Sequence, residues 1–245
     1  MHIHLRSSVI ALTLACASTV HAQPTPPDIG RSGNDAPHVF AQAAQYPMLP
    51  SALEIELALS AAPKHVRANA AVWVLEKSGY ALAKPGRNAF TCVVSRRGGD
   101  LFPVCWDAEG TRSLLPLDFD DAQLRLSGKS GAEIEALVAE RFKSGQYHPP
   151  ARAGIAYMLS PLRYRIDEHG RVSRTVSNPH LMFYGPALTD DDIGGTRGSF
   201  VFMNRVGPDG MMIVPVGRQE REAIIGETQS LTEQLERAIG FQPAK

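Results

Sequence analysis

The chain has 245 residues, in which 25 Lys and Arg balance 25 Asp and Glu. That balance excludes the clustered basic surface on which nucleic-acid and anionic-lipid binding rest. The length and a 44% apolar content support one good core, and three cysteines are available to brace it.

The first 22 residues have the parts of a secretory signal: Arg6, the apolar run from Val9 to Ala17, and the small-residue site Val20-His21-Ala22. The run is too short to span a bilayer as a helix. Cleavage after Ala22 therefore predicts an exported protein, periplasmic or secreted. The alternative, a lipoprotein anchored at Cys16, is set aside because Thr13-Leu14-Ala15 matches a lipobox poorly. No later segment is long and apolar enough to be a transmembrane helix, so none is expected.

Residues 23–50 are rich in Pro, Gly, Ala and Gln and read as a flexible lead. Residues 51–240 read as a single α+β domain, with lobes 51–110 and 111–240 as an alternative division. Ser51 with Glu54 makes an S-x-x-E capping box for a helix ending before Pro63. Ala71–Leu75 and Tyr80–Ala83, around Ser78-Gly79, predict two strands.

Residues 90–106 then predict a β-hairpin closed by Gly98-Gly99, a pair that supplies the positive φ values of a primed turn. With Arg97 facing Asp100, Cys92 falls directly opposite Cys105 on a non-hydrogen-bonded rung. Such rungs bring Cα atoms to about 4.5 Å, within disulfide reach. Pro103 faces Val94, where its missing N–H points away from the partner strand. Export favours a Cys92–Cys105 disulfide over two free thiols. The four strands are expected to form an antiparallel meander.

Asp118–Leu126 is acidic and weakly helical. Ser130 and Glu133 form a second capping box, followed by Ile134, Leu137, Val138 and Phe142 on one face and Gly145 as a stop; that stripe is expected to cover a sheet. A second β-rich block runs through 154–160, 165–175, 180–184, 199–203 and 211–216, and a helix from about Glu220 to Ile239 closes the chain. Arg163-Tyr164-Arg165 and Arg218–Arg221 read as solvated faces. The class is α+β, a mainly antiparallel sheet with packed helices and a disulfide-stapled hairpin.

On Ala61-Ala62-Pro63, Phe90-Thr91-Cys92 and His180–Tyr184, the chain resembles bacterial exported proteins that carry no described activity. The resemblance implies no catalytic residue.

Five histidines remain after cleavage: His38, His65, His148, His169 and His180. None has the H-x₃-H or HExxH spacing of a metal pair. His169 reads as a turn, and the Thr189–Asp192 run as capping rather than a cation site. Met158, Met182, Met203, Met211 and Met212 raise Cu(I), but Met211 and Met212 must point to opposite faces, and irregular core filling explains them. No metal and no cofactor is therefore predicted. Nor is there a G-x-S-x-G elbow, a dinucleotide motif or a P-loop.

Alternation places His180, Met182 and Tyr184 on one face of a strand. A ligand is expected there, bordered by Tyr157 or Ser160 and by the loop from Gly185 to Gly195, which carries Asp190. The expected function is non-catalytic binding of a small ligand or an envelope protein. The competing readings are a hydrolase using His180 with nearby carboxylates, and a purely structural or interaction protein.

Overall fold

The protein is described by a computed structural model covering residues 47–241 except 168, 170, 176, 197 and 198. The segment expected to be a signal sequence, Cys16, His38 and nearly all of the Pro-rich stretch expected to be a flexible lead lie outside the described residues. The lead's last residues are within them, and Leu49 is buried against the helix that follows.

Helix α1 (Ser51–Leu59) begins one residue earlier than a capping box at Ser51 requires. Pro50 is the N-cap, its carbonyl accepts from Glu54 N at 3.0 Å, and Ser51 is already helical. Glu54 is therefore freed from capping and turns into the core. There its Oε1 accepts from Leu75 N at 3.0 Å and from Arg96 Nη1 at 2.8 Å, and both side chains of the ion pair are fully buried. A short α2 (Lys64–Arg67) leads to strands β1 (Ala71–Glu76) and β2 (Gly79–Lys84), an antiparallel hairpin.

The expected meander does not continue. Strand β3 (Thr91–Ser95) pairs with the other edge of β1, and it runs parallel, Val72 facing Cys92. The chain passes across the start of β1 between Pro85 and Phe90. Arg87 N and Asn88 N donate to Asn69 O at 2.7 and 3.2 Å, and Ala71 N donates to Phe90 O at 2.9 Å. Gly86 makes the crossing sterically feasible, since a Cβ there would sit 2.5 Å from Ala71 N.

Strand β4 (Asp100–Trp106) returns antiparallel to β3 in the expected register: Cys92 faces Cys105 and Val94 faces Pro103. The turn is as the glycines demand. Gly98 and Gly99 both have positive φ, and Asp100 N donates to Arg97 O. The Cys92–Cys105 disulfide is present, with Cα atoms 4.0 Å apart.

After β4 come α3 (Ala108–Ser113), capped by Asp107, α4 (Leu115–Leu126) and α5 (Gly131–Lys143), which has the reciprocal Ser130/Glu133 box. The remaining strands are β5 (Ile155–Met158), β6 (Tyr164–Ile166), β7 (Val172–Arg174), β8 (His180–Tyr184), β9 (Phe202–Met203) and β10 (Met211–Pro215). Among the described residues the sheet order is β2-β1-β3-β4-β5-β8-β10-β9, with β6 pairing the start of β4 and β7 pairing β6. The two β-rich blocks are thus one sheet, joined where Cys105 and Trp106 pair with Tyr157 and Ala156. Every pairing is antiparallel except β1–β3. The class is α+β.

The closing helix is two, α6 (Arg218–Glu227) and α7 (Gln229–Ile239). They are joined at the buried Thr228, whose hydroxyl donates to Ile224 O at 3.0 Å and Ile225 O at 3.2 Å. Along β4, Leu101 and Cys105 face one way with α1 and α7, while Phe102, Val104 and Trp106 face the other with α4. The sheet therefore lies between two helical layers, and each face builds its own core.

Candidate functional site

The α4 side of the sheet is not filled. A cleft of about 760 Å³ lies between its strands and α5, within the roughly 300–1,000 Å³ range of ligand sites. Its apolar floor comes from alternate residues of four strands, chiefly Phe102, Trp106, Met158, Met182, Met211 and Ile213. Ile134, Val138 and Phe142 of α5 form the opposite wall.

The α5 stripe therefore does something other than expected. Ile134 is buried, but Leu137, Val138 and Phe142 are only half-buried. The helix is held to α4 at its far end, where Arg141 Nη1 bridges Asp120 and the Tyr147 hydroxyl (2.7 Å), and Phe142 packs edge-on to Tyr147. Burial and the nearby Asp120 carboxylate push the Tyr147 phenol up to about 12, so it stays protonated and donates to Asp120.

Charged groups ring the floor. Asp100 takes Arg163 and, at 2.7 Å, Arg165; Arg163 also lies over the Phe102 ring at 5.2 Å. In the Arg163-Tyr164-Arg165 run the two arginines keep a part-exposed face, while Tyr164 between them is buried and its hydroxyl donates to Glu236 at 2.9 Å. Asp209 binds Arg97 at 2.8 Å and Arg205 at 3.0 Å. Burial works against the charge on Asp209, but Arg205 and Arg97 hold its carboxyl below the usual range. Asp121 accepts from Arg125 at 2.7 Å. Asp118 accepts from Ser95 Oγ at 2.6 Å and Trp106 Nε1 at 2.9 Å, and burial raises its pKa. Asp118 and Asp121, read from the sequence as an acidic helix, are buried.

The residues expected at the site divide. His180 and Met182 line the cleft beside Met158, which pairs with His180 across β5 and β8. Tyr184 shares their face but points into a knot beneath α3. Its hydroxyl donates to Asp107 Oδ1 at 2.7 Å and lies 3.0 Å from Ile155 O, and burial raises its pKa steeply. Tyr157 is on the opposite face, its ring 5.7 Å from that of Phe90. Ser160 is buried, with its Oγ accepting from Leu162 N at 3.3 Å. Asp190 accepts from Met203 N of β9 at 2.6 Å, tying its loop to that strand, and within the loop Thr189 and Asp192 exchange capping bonds. None of these four lines the cleft.

His180 Nδ1 is 2.6 Å from Asn178 O, and a carbonyl can only accept, so Nδ1 carries the proton and Nε2 is left as an acceptor. Burial lowers its pKa, the Asn178 carbonyl opposes the shift, and the Arg163 charge adds to it. Asp167 organises the β6–β7 turn by accepting from His169 N and Arg171 N, both at 2.9 Å. Among the described residues no group of three His, Cys, Asp or Glu is placed to hold a metal ion, and no helix is long and apolar enough to cross a membrane. Met158, Met182 and Met211 share the cleft face, while Met212 takes the other.

Sequence reasoning missed the arginines. The partners of Arg163 and Arg97 lie 63 and 112 residues away in the chain, beyond any local pattern, whereas Arg205 and Arg125 each pair with an acid four residues away. Compared with protein-family models, curated proteins and solved structures, the chain matches none.

Proposed function

We propose that this is an exported binding protein that holds a small organic molecule in the cleft between the sheet and α5, without catalysing its conversion. The observation that carries the reading is the unfilled apolar floor. Interiors normally close to near-crystalline density, and here about 760 Å³ is left between α5 and a floor of six large side chains from four strands, of which Phe102 and Ile213 are half-buried and the other four buried. Arginine N–H groups and a neutral imidazole at its margin suit it to orienting a ligand.

The hydrolase reading draws less support. It needs His180 beside a carboxylate and a nucleophile, whereas the imidazole bonds a backbone carbonyl and has an arginine for its charged neighbour. Ser160, two residues past the end of β5, is buried with its Oγ accepting from Leu162 N. Binding of an envelope protein finds no comparable feature.

Native mass spectrometry of protein purified without dialysis tests the reading. A bound small molecule should be retained by the native chain and lost in Val138→Trp, which fills the cleft from the half-buried face of α5. Identical adducts in both proteins, or a ligand-free native protein that binds no member of a metabolite library, would sink it.

A further inference from the structure

We infer that the ligand is an amphipathic organic anion, its apolar body on the methionine and aromatic floor and its charged head against the guanidinium groups of Arg205 and Arg163. The inference rests on the reading of the cleft as a ligand site and adds the chemical class.

Net charge does not carry it, since arginines and carboxylates along the cleft are equal in number. Their arrangement does. The side chains of Arg163 and Arg205 are 35% and 48% exposed, while their partners Asp100 and Asp209 are 2% and 9% exposed. The acids therefore lie beneath and the guanidinium groups lie on top. Both Asp100 oxygens already accept from arginine, and both Asp118 oxygens from Ser95 and Trp106. Asp209 takes two guanidinium groups on one oxygen. A guanidinium has five N–H donors. Arg205 commits Nη1 to Asp209, and Arg163 commits Nε and Nη2 to Asp100.

What the arginines at the floor's margin offer a ligand is thus donors whose partner carboxylates are already engaged, with His180 Nε2 as a neutral acceptor on the floor. The head complementary to those donors is an acceptor carrying negative charge. Glu135, exposed on the α5 wall, is the lining carboxylate outside this pattern; a cationic competitor reads its influence.

The test is displacement of a neutral fluorescent probe, N-phenyl-1-naphthylamine, by three twelve-carbon chains that differ only in the head: dodecanoate, dodecanol and dodecyltrimethylammonium. Dodecanoate should displace the probe at concentrations at least tenfold below dodecanol, and the ammonium compound should be the weakest. Arg205→Gln and Arg163→Gln should each shrink the dodecanoate-to-dodecanol ratio at least fivefold, and Arg205→Lys should largely keep it. Equal displacement by dodecanoate and dodecanol, or a preference for the cation, overturns the anion inference and leaves the binding cleft standing. A probe that does not bind, or that binds equally well to Val138→Trp, removes the cleft itself and the inference with it.

Discussion

The two faces of one sheet have been built to opposite ends. On the α1 side, β3 and β4 present Cys92, Val94, Leu101 and Cys105, and the helix with the turn that follows it answers with Leu57, Ala58 and Ala61, all fully buried. Small residues let the helix backbone approach so closely that Cys105 Sγ lies 3.5 Å from Ala58 O. On the other side β4 presents Phe102 and Trp106, its neighbours β5 and β8 present Met158 and Met182, and α5 stands off them. Even the polar groups differ. The α1 side has a sealed Glu54–Arg96 pair, whereas the α5 side has acids underneath half-exposed arginines. On the proposed reading stability and ligand access belong to different faces, and changes on each should have different consequences.

The largest expected effect is on the closed face. Glu54→Ala would leave Arg96 buried beside an empty site, and losing one partner of a buried ion pair costs about 3–5 kcal/mol. Chemical denaturation should show a midpoint shift of that size. A loss below about 1 kcal/mol would mean that water reaches Arg96 and that the face is not sealed.

Next is the disulfide. Reducing it, or replacing Cys92 and Cys105 by Ala together, should cost about 3 kcal/mol on the chain-entropy account, whose mechanism is model-dependent. Melting followed by circular dichroism should drop in midpoint without losing helix content at low temperature. Two alkylatable thiols in the protein isolated under non-reducing conditions would show that the bond does not form.

Much of the closed face was legible from the sequence, and most of the open face was not. The hairpin could be read because a Gly-Gly turn, an opposed cysteine pair and a proline on a tolerant rung are local constraints that agree. Ser130 and Glu133 could be read for the same reason. Glu54 misled because S-x-x-E matches a capping box, while Pro50 takes the cap and shifts the frame by one residue; its partner Arg96 is 42 residues distant. Nothing local tells β3 which edge of β1 to choose. The α5 stripe carried a true helical period, but period says which residues share a face and not how closely the next layer approaches. His180 and Met182 were found by alternation alone, which also swept in Tyr184, because alternation cannot see the Asp107 knot.

Tyr184 gives the third prediction. It sits on the open face yet serves the closed architecture: a Cβ on Gly110 would lie 2.2 Å from its hydroxyl, so the packing admits only glycine there. Tyr184→Phe removes the buried hydrogen bond to Asp107 and should cost about 1–3 kcal/mol, while ligand retention stays unchanged. Loss of ligand with stability intact would return Tyr184 to the site and redraw the cleft's boundary.

The smallest effect concerns His180 and needs pH to expose it. In the folded chain, burial holds its imidazole below the ordinary value near about 6.5. Between those two values the unfolded chain binds a proton that the folded chain does not. Stability therefore rises with pH through that window and is lost as pH falls below about 6.5 toward the folded value. His180→Gln keeps an N–H donor for the Asn178 carbonyl but has nothing to titrate. The melting midpoint of the variant should be close to the native one at pH 7.5, and should fall less steeply between pH 6.5 and 5. Parallel curves would mean that the imidazole protonates freely in the fold. It would then belong to the solvated rim, and the line between the cleft's floor and its margin would have to be moved inward past β8.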